Sequence, residues 1–145
     1  MQKALELFKI LSDTSRLRLL MLLEQKELCV CQMMGVLTLS QPLVSRNLSL
    51  LTRSGFLEMR REGKLMFYRI KPSLPPAHLL ALSLVRKLLE GDSILQNDRE
   101  SLQDCSEFQK QTGKCDMETF KAFMEYRKRK RGEEPLPKTV RERSL

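Results

Sequence analysis

Apolar positions recur along this chain with two different periods, and the change of period divides it. Leu5, Phe8 and Leu11 fall at helical spacing, which predicts a helix over Gln2–Leu11. In SDTSRLRLLMLLEQ a second stripe runs through Leu17, Leu20, Met21 and Leu23, with Ser12 or Asp13 as N-cap. The short apolar stretch ELCVCQMMGVL predicts a brief helix from about Cys29 to Leu37. Ser40 then caps a fourth helix, with Pro42 in its first turn, where a missing N–H costs nothing. Val44, Leu48 and Leu51 make the inward face of that helix. Gln41, Ser45, Arg46, Ser49 and Arg53 fall largely on the other side, and Gly55 ends it.

The alternation then becomes strand-like. FLEMRREGKLMFYRI reads as two runs around the turn Glu62-Gly63-Lys64, a hairpin with basic residues near its tip. Pro72, Pro75 and Pro76 break the chain before a strongly apolar helix over Ala77–Glu90. The polar stretch from Gly91 to Met117 predicts mixed loop and short helix. Glu118–Arg131 predicts a last helix ending in RKRKR, and GEEPLPKTVRERSL a disordered tail. The expected organisation is a winged-helix domain over 1–91, a polar extension with Cys105, Cys115 and a basic helix over 92–131, and a tail over 132–145.

Charge narrows the partners. The 145 residues carry a formal charge of +8, with pI near 9.6, which favours an anionic partner. The basic excess lies in residues 1–72 and 119–145, on either side of a mildly acidic middle. No apolar run approaches the roughly 20 residues of a membrane span, and MQKALELF lacks a signal-peptide core. A cytoplasmic protein without membrane contact is expected, with its cysteines reduced. A short helix, a tight turn, a Ser-capped helix with a polar outer face and a basic hairpin together describe a winged helix-turn-helix, mainly α with a β-hairpin wing. Such a helix fits the major groove of double-stranded DNA, and basic hairpin residues meet phosphates nearby.

ELCVC, followed by SQPLVSRNLSLLTRSGFLEMRREGKLMFYRI, resembles the ArsR/SmtB family of small dimeric, metal(loid)-responsive repressors over about Ala4–Ser73. The resemblance implies that Gln41, Ser45 and Arg46 face the groove, with Asn47 where a histidine is common. Ser40 and Ser49 complete the candidate DNA contacts on that helix, and Arg60, Arg61 and Lys64 serve the wing. It also implies a homodimer, formed through the first helix and the helix after the wing and seated on a two-fold operator.

Cys29 and Cys31 lie two positions apart, which rotates them by about 200° in an ideal helix. They reach one ligand only if the pair sits at a helix N-terminus with Leu28–Val30 extended. ELCVC resembles the metal box of the arsenic- and antimony-responsive members, which implies As(III) or Sb(III) as inducer and no organic cofactor. Such a centre takes three sulfurs. Where those relatives often place a third cysteine this chain has Met34, which leaves Cys105 or Cys115 as candidates. A reversible Cys105–Cys115 disulfide, making a redox sensor, and a soft-divalent-metal sensor are the competing readings. His78 is the single histidine, so the two-histidine zinc pattern of other relatives is absent.

An enzyme is not expected. There is no Gly-rich phosphate loop, and the CX5R spacing of a reductase loop fails, since Gln111 and Lys121 stand where the arginine belongs.

Overall fold

The structure, a computed structural model, describes residues 1–113 and 117–131. Its elements are α1 (Gln2–Leu11), α2 (Thr14–Gln25), β1 (Leu28–Cys29), α3 (Val30–Leu37), α4 (Gln41–Arg53), β2 (Leu57–Glu62), β3 (Leu65–Ile70), α5 (Pro76–Leu88), α6 (Ser93–Thr112) and α7 (Met117–Arg131). This is the expected winged helix-turn-helix: α3 and α4 form the helix pair, and β2 and β3 the wing.

Caps set the helix starts. Asp13 Oδ1 accepts from Arg16 N at 3.0 Å to open α2, and Ser40 Oγ accepts from Leu43 N at 3.4 Å to open α4. The turn between α3 and α4 is less ordinary. Thr38 closes α3 in the left-handed region at φ 56°, and Leu39 N reaches back to Met34 O at 3.2 Å. That conformation costs a β-branched residue on the order of 1–3 kcal/mol.

The sheet is antiparallel in the order β1-β3-β2. Leu28 faces Tyr68 and Cys29 faces Phe67, while on the other side of β3 Arg60 faces Phe67 and Glu62 faces Leu65. Cys29, Phe67 and Arg60 therefore form one row across three strands. The very next residue, Val30, begins α3.

Leu19, Leu20, Leu28, Met33, Leu37, Val44, Leu48, Leu51, Phe56 and Leu57 are wholly buried between α2, α3, α4 and the sheet. The same cluster continues into Leu95, Leu102, Cys105 and Phe108 of α6 and Phe123 of α7. Here the structure corrects the sequence reading, because residues 93–112 form one continuous helix rather than loop and short helix. Its apolar residues are few but keep helical spacing. Asp92 Oδ1 caps it by accepting from Ile94 N (2.9 Å) and Leu95 N (3.2 Å), and Gly113 at φ 69° stops it.

Contacts with α2 and α3 fix the extension to the winged domain. Arg18 of α2 grips buried Asp98 of α6 through Nη2–Oδ1 (2.7 Å) and Nε–Oδ2 (2.9 Å), and its Nη2 also donates to Leu37 O at 3.1 Å. On α7, Phe123 and Phe120 press on Gly35 so closely that a Cβ there would lie 2.9 Å from Phe123 Cδ1. Arg127 Nη1 donates to Gly35 O at 3.3 Å, and Lys130 Nζ pairs with Asp104 (2.7 Å) and Glu107 (2.9 Å). Of the basic run, Arg127 is thus buried against α3, and Lys130 forms ion pairs with α6 at the surface.

Candidate nucleic-acid interface and thiol site

Because α4 buries Val44, Leu48 and Leu51, the opposite side of that helix faces outward. Gln41, Ser45, Arg46 and Ser49 are exposed there, and exposed Ser40 stands at the N-terminus. A helix offering an amide, two hydroxyls and a guanidinium on one side has the donors and acceptors that base edges and phosphates require.

Asn47 does not share that side. It is 3% exposed, and its Oδ1 accepts from Arg16 Nη1 at 3.2 Å. Arg16 is held in turn at the end of α1, where its Nε donates to Ile10 O at 2.6 Å. The groove-facing role expected of Asn47 is therefore corrected. Its position, three residues past Val44 and one before Leu48, places it on the inward face, where it joins α4 to α1 and α2.

The wing residues differ among themselves. Lys64 is exposed in the turn, and Arg61 is exposed with Nε donating to Gly63 O at 3.2 Å. Arg60 lies along β2 rather than at the tip, and its charge is already engaged. Its Nη2 lies 2.5 Å from Glu27 Oε1, its Nη1 lies 2.8 Å from Glu62 Oε2, and its guanidinium stacks 4.6 Å from the Phe67 ring centre. The Arg60 hydrogen bond, joined by the charge of Arg69, holds the Glu27 carboxyl below its ordinary range. Glu27 escaped the sequence reading. The signal for it was spacing: it stands two residues before Cys29, the period that repeats one face of an extended chain.

Cys29, Cys31 and Cys105 are thiols. Cys29 is 1% exposed and serves as the N-cap of α3. Its side chain accepts from the backbone of Gln32, whose Oε1 accepts from Cys29 N at 2.8 Å. The sulfur thus sits at the positive end of a helix. The expected extended approach is present over Leu28–Cys29 and ends there, since Val30 and half-buried Cys31 are already helical.

Cys105 comes from α6 and is buried. Burial pushes its thiol up to about 11; Lys26 and Arg127 pull the other way, and Cys29 adds to the rise. Lys26 Nζ also donates to Ser106 Oγ at 3.2 Å, fastening the segment before the cysteine pair to α6 beside Cys105. Cys115 lies outside the described residues. Among the described residues no three His, Cys, Asp or Glu side chains are gathered for a metal ion. His78 packs within the fold, with Nε2 2.6 Å from Ser54 O and its ring 4.7 Å from that of Phe56.

Two apolar surfaces remain uncovered. On α5, Leu80 is 71% and Leu88 72% exposed, with Leu79 and Leu84 beside them, and on α1 Leu5 and Phe8 are exposed. No described helix is long and apolar enough to cross a membrane.

Known proteins share this arrangement. The profile of the bacterial regulatory proteins of the arsR family matches residues 13–58. The arsenical resistance operon repressor of Escherichia coli is 49% identical over 72 residues, which are 49% of this chain and 62% of that protein. The chain therefore spans less than two thirds of that repressor. An uncharacterised helix-turn-helix transcriptional regulator of Methanocaldococcus jannaschii is 40% identical over 70 residues, 48% of this chain and 79% of its own length. Among solved structures, reduced HlyU from Vibrio cholerae is 30% identical with a TM-score of 0.52, covering 60% of this chain and 88% of its own. The repressor BigR from Xylella fastidiosa is 31% identical with a TM-score of 0.50, covering 61% and 82%. With the helix pair, the wing and these likenesses in agreement, the chain belongs to the ArsR family of bacterial regulatory proteins.

Proposed function

We propose that this chain is a cytoplasmic, homodimeric, DNA-binding transcriptional repressor released from its operator by As(III) or Sb(III). Cys29 and Cys31 supply two sulfurs and Cys105 or Cys115 the third. The observation that carries this reading is the double placement of Cys29. It is the N-cap of α3, the first helix of the helix pair, and a strand partner of the wing. Any ligand that draws its sulfur toward Cys31 must disturb the first turn of α3, because regular geometry holds residues two apart on different sides. α3 packs directly on α4, so the outward row Gln41, Ser45, Arg46 and Ser49 shifts with it.

The donors suit the inducer. Thiolates are soft and select thiophilic centres, whereas the thioether of Met34 carries no charge to contribute. The arsenical resistance repressors among the relatives support the same choice. Of the two possible third ligands, Cys105 has the stronger support, since the Lys26–Ser106 hydrogen bond brings α6 to the segment bearing Cys29. The exposed leucines of α5, with Leu5 and Phe8 of α1, suit a second copy of the chain, which would set two α4 helices about one DNA turn apart.

The deciding experiment is an operator-binding titration against As(III), Sb(III), Zn(II), Cd(II) and peroxide, on wild type and on each Cys→Ser variant. As(III) and Sb(III) release wild-type protein, and Cys29→Ser and Cys31→Ser bind DNA but do not respond. A Cys29→Ser/Cys31→Ser protein that still leaves DNA at the wild-type As(III) concentration refutes the thiol mechanism.

A further inference from the structure

We propose that Glu27 and Arg60 form a latch that ties the position of Cys29 to the wing, giving the thiol site a second route to DNA besides α4. The inference rests on the DNA-binding and thiol reading above and adds a residue, Glu27, to its transmission. The sheet order supplies the reason. β1 and β2 are separated by β3, so no backbone hydrogen bond joins the segment carrying Cys29 to the outer wing strand. The Glu27–Arg60 ion pair spans that gap, with Arg60 Nη2 2.5 Å and Nε 2.8 Å from Glu27 Oε1.

Strand register puts Arg60 on the face that Cys29 occupies, since Cys29 faces Phe67 and Phe67 faces Arg60. Glu27, two residues before Cys29 and just outside β1, reaches that side through its ion pair with Arg60. Arg60 lies over the Phe67 ring, so the guanidinium is held from beneath by the side chain directly opposite Cys29. Its other partner, Glu62, lies on its own strand near the turn. Arg60 is thus shared between one carboxylate that moves with the thiol segment and one that moves with the wing. Displacing Cys29 pulls Glu27 away, leaves Arg60 with Glu62 as its one carboxylate and removes the side-chain tie between the outer part of β2 and the segment carrying Cys29. Lys64 and Arg61, two residues and one residue from Glu62, then lose their fixed bearing on the phosphates.

Glu27 touches neither inducer nor DNA in this scheme, so it is a positioning residue, and its test must separate coupling from plain stability. The full-length protein is compared as wild type, Glu27→Gln, Arg60→Gln and the double variant. Operator affinity is measured with and without As(III), uptake by sulfur–arsenic absorbance, and amide exchange over residues 57–70. Both single variants take up As(III) as wild type does, but their As(III)-induced loss of operator affinity is smaller by about three-fold or more, and the double variant shows no further loss of response. A response ratio unchanged in Glu27→Gln overturns the latch, as does additive behaviour of the two substitutions. Wing exchange is read without As(III) and tests the latch separately: Glu27→Gln exchanges faster over 57–70, and unchanged exchange overturns it. Wild-type protein showing no sulfur–arsenic absorbance refutes the inducer reading instead.

Discussion

Asn47 Oδ1 accepts a hydrogen bond from Arg16 Nη1 at 3.2 Å, although Asn47 follows immediately after exposed Arg46. Two neighbours on one helix thus have separate tasks, one inside the fold and one outside it. Asn47→Ala is expected to destabilise the protein by about 1–3 kcal/mol, since the Arg16 guanidinium loses a partner in a half-buried place. The ratio of operator to random-DNA affinity should stay at its wild-type value. Urea unfolding and competition binding on the same preparation check both halves.

Arg46→Ala should do the reverse. Stability is expected to be unchanged within about 0.5 kcal/mol, as for an exposed helix position, while specific binding weakens by about 1–3 kcal/mol if the guanidinium reads a base edge. Lys64→Ala, in the exposed wing turn, should weaken all sequences alike and reduce the slope of log K against log salt by about 0.9 per subunit. Equal losses on operator and random DNA for Arg46→Ala would make it a phosphate contact.

Gly35→Ala tests the seat of α7. A Cβ at Gly35 would meet Phe123 Cδ1 at 2.9 Å and Phe120 Cδ2 at 3.3 Å, which forces the two helices apart. The expected cost is about 1–3 kcal/mol, as for other overpacked cores. Adding Phe123→Leu to Gly35→Ala should recover part of that loss in thermal or urea unfolding. No recovery would show that the strain lies elsewhere in α3.

Cys105 makes stability depend on alkaline pH. Burial raises its thiol from an ordinary 9.0 to about 11, so between those values the folded chain keeps a proton that the unfolded chain releases. This contribution is present in full below pH 9 and is lost as pH rises toward 11. Wild-type urea midpoints are expected to fall across that window, and those of Cys105→Ser to fall less. At pH 8, iodoacetamide should modify half-buried Cys31 well before Cys105; mass spectrometry of the peptides reads the order.

Where pattern and packing coincide, the sequence was a sufficient guide. Val44, Leu48 and Leu51 mark α4, because a helix that buries one face must repeat apolar residues at its own period, whereas Leu5 and Phe8 keep that period on α1 yet stay exposed. α6 escaped notice for a related reason. Leu95, Leu102, Cys105 and Phe108 make a narrow stripe in a polar segment, and what buries them is α7 together with α2 and α3, which lie far away in sequence. At Asn47 the helical phase shared with Val44 and Leu48 points inward, and that phase outweighs the position's likeness to the family's histidine. Arg60 was legible as basic, but its commitment to Glu27 is a side-chain contact across β3 between residues 33 apart, which no local pattern carries.

Thr38, in its left-handed conformation, decides what kind of joint connects α3 to α4. A glycine there would have a broad torsional well, and a displaced α3 would spend its movement twisting the turn. A threonine occupies only a narrow well in that region, so the turn behaves as a stiff elbow rather than a slack one. Under the proposed thiol mechanism, a shift at the cysteine end of α3 would reach α4 as rigid-body rotation, with little absorbed on the way.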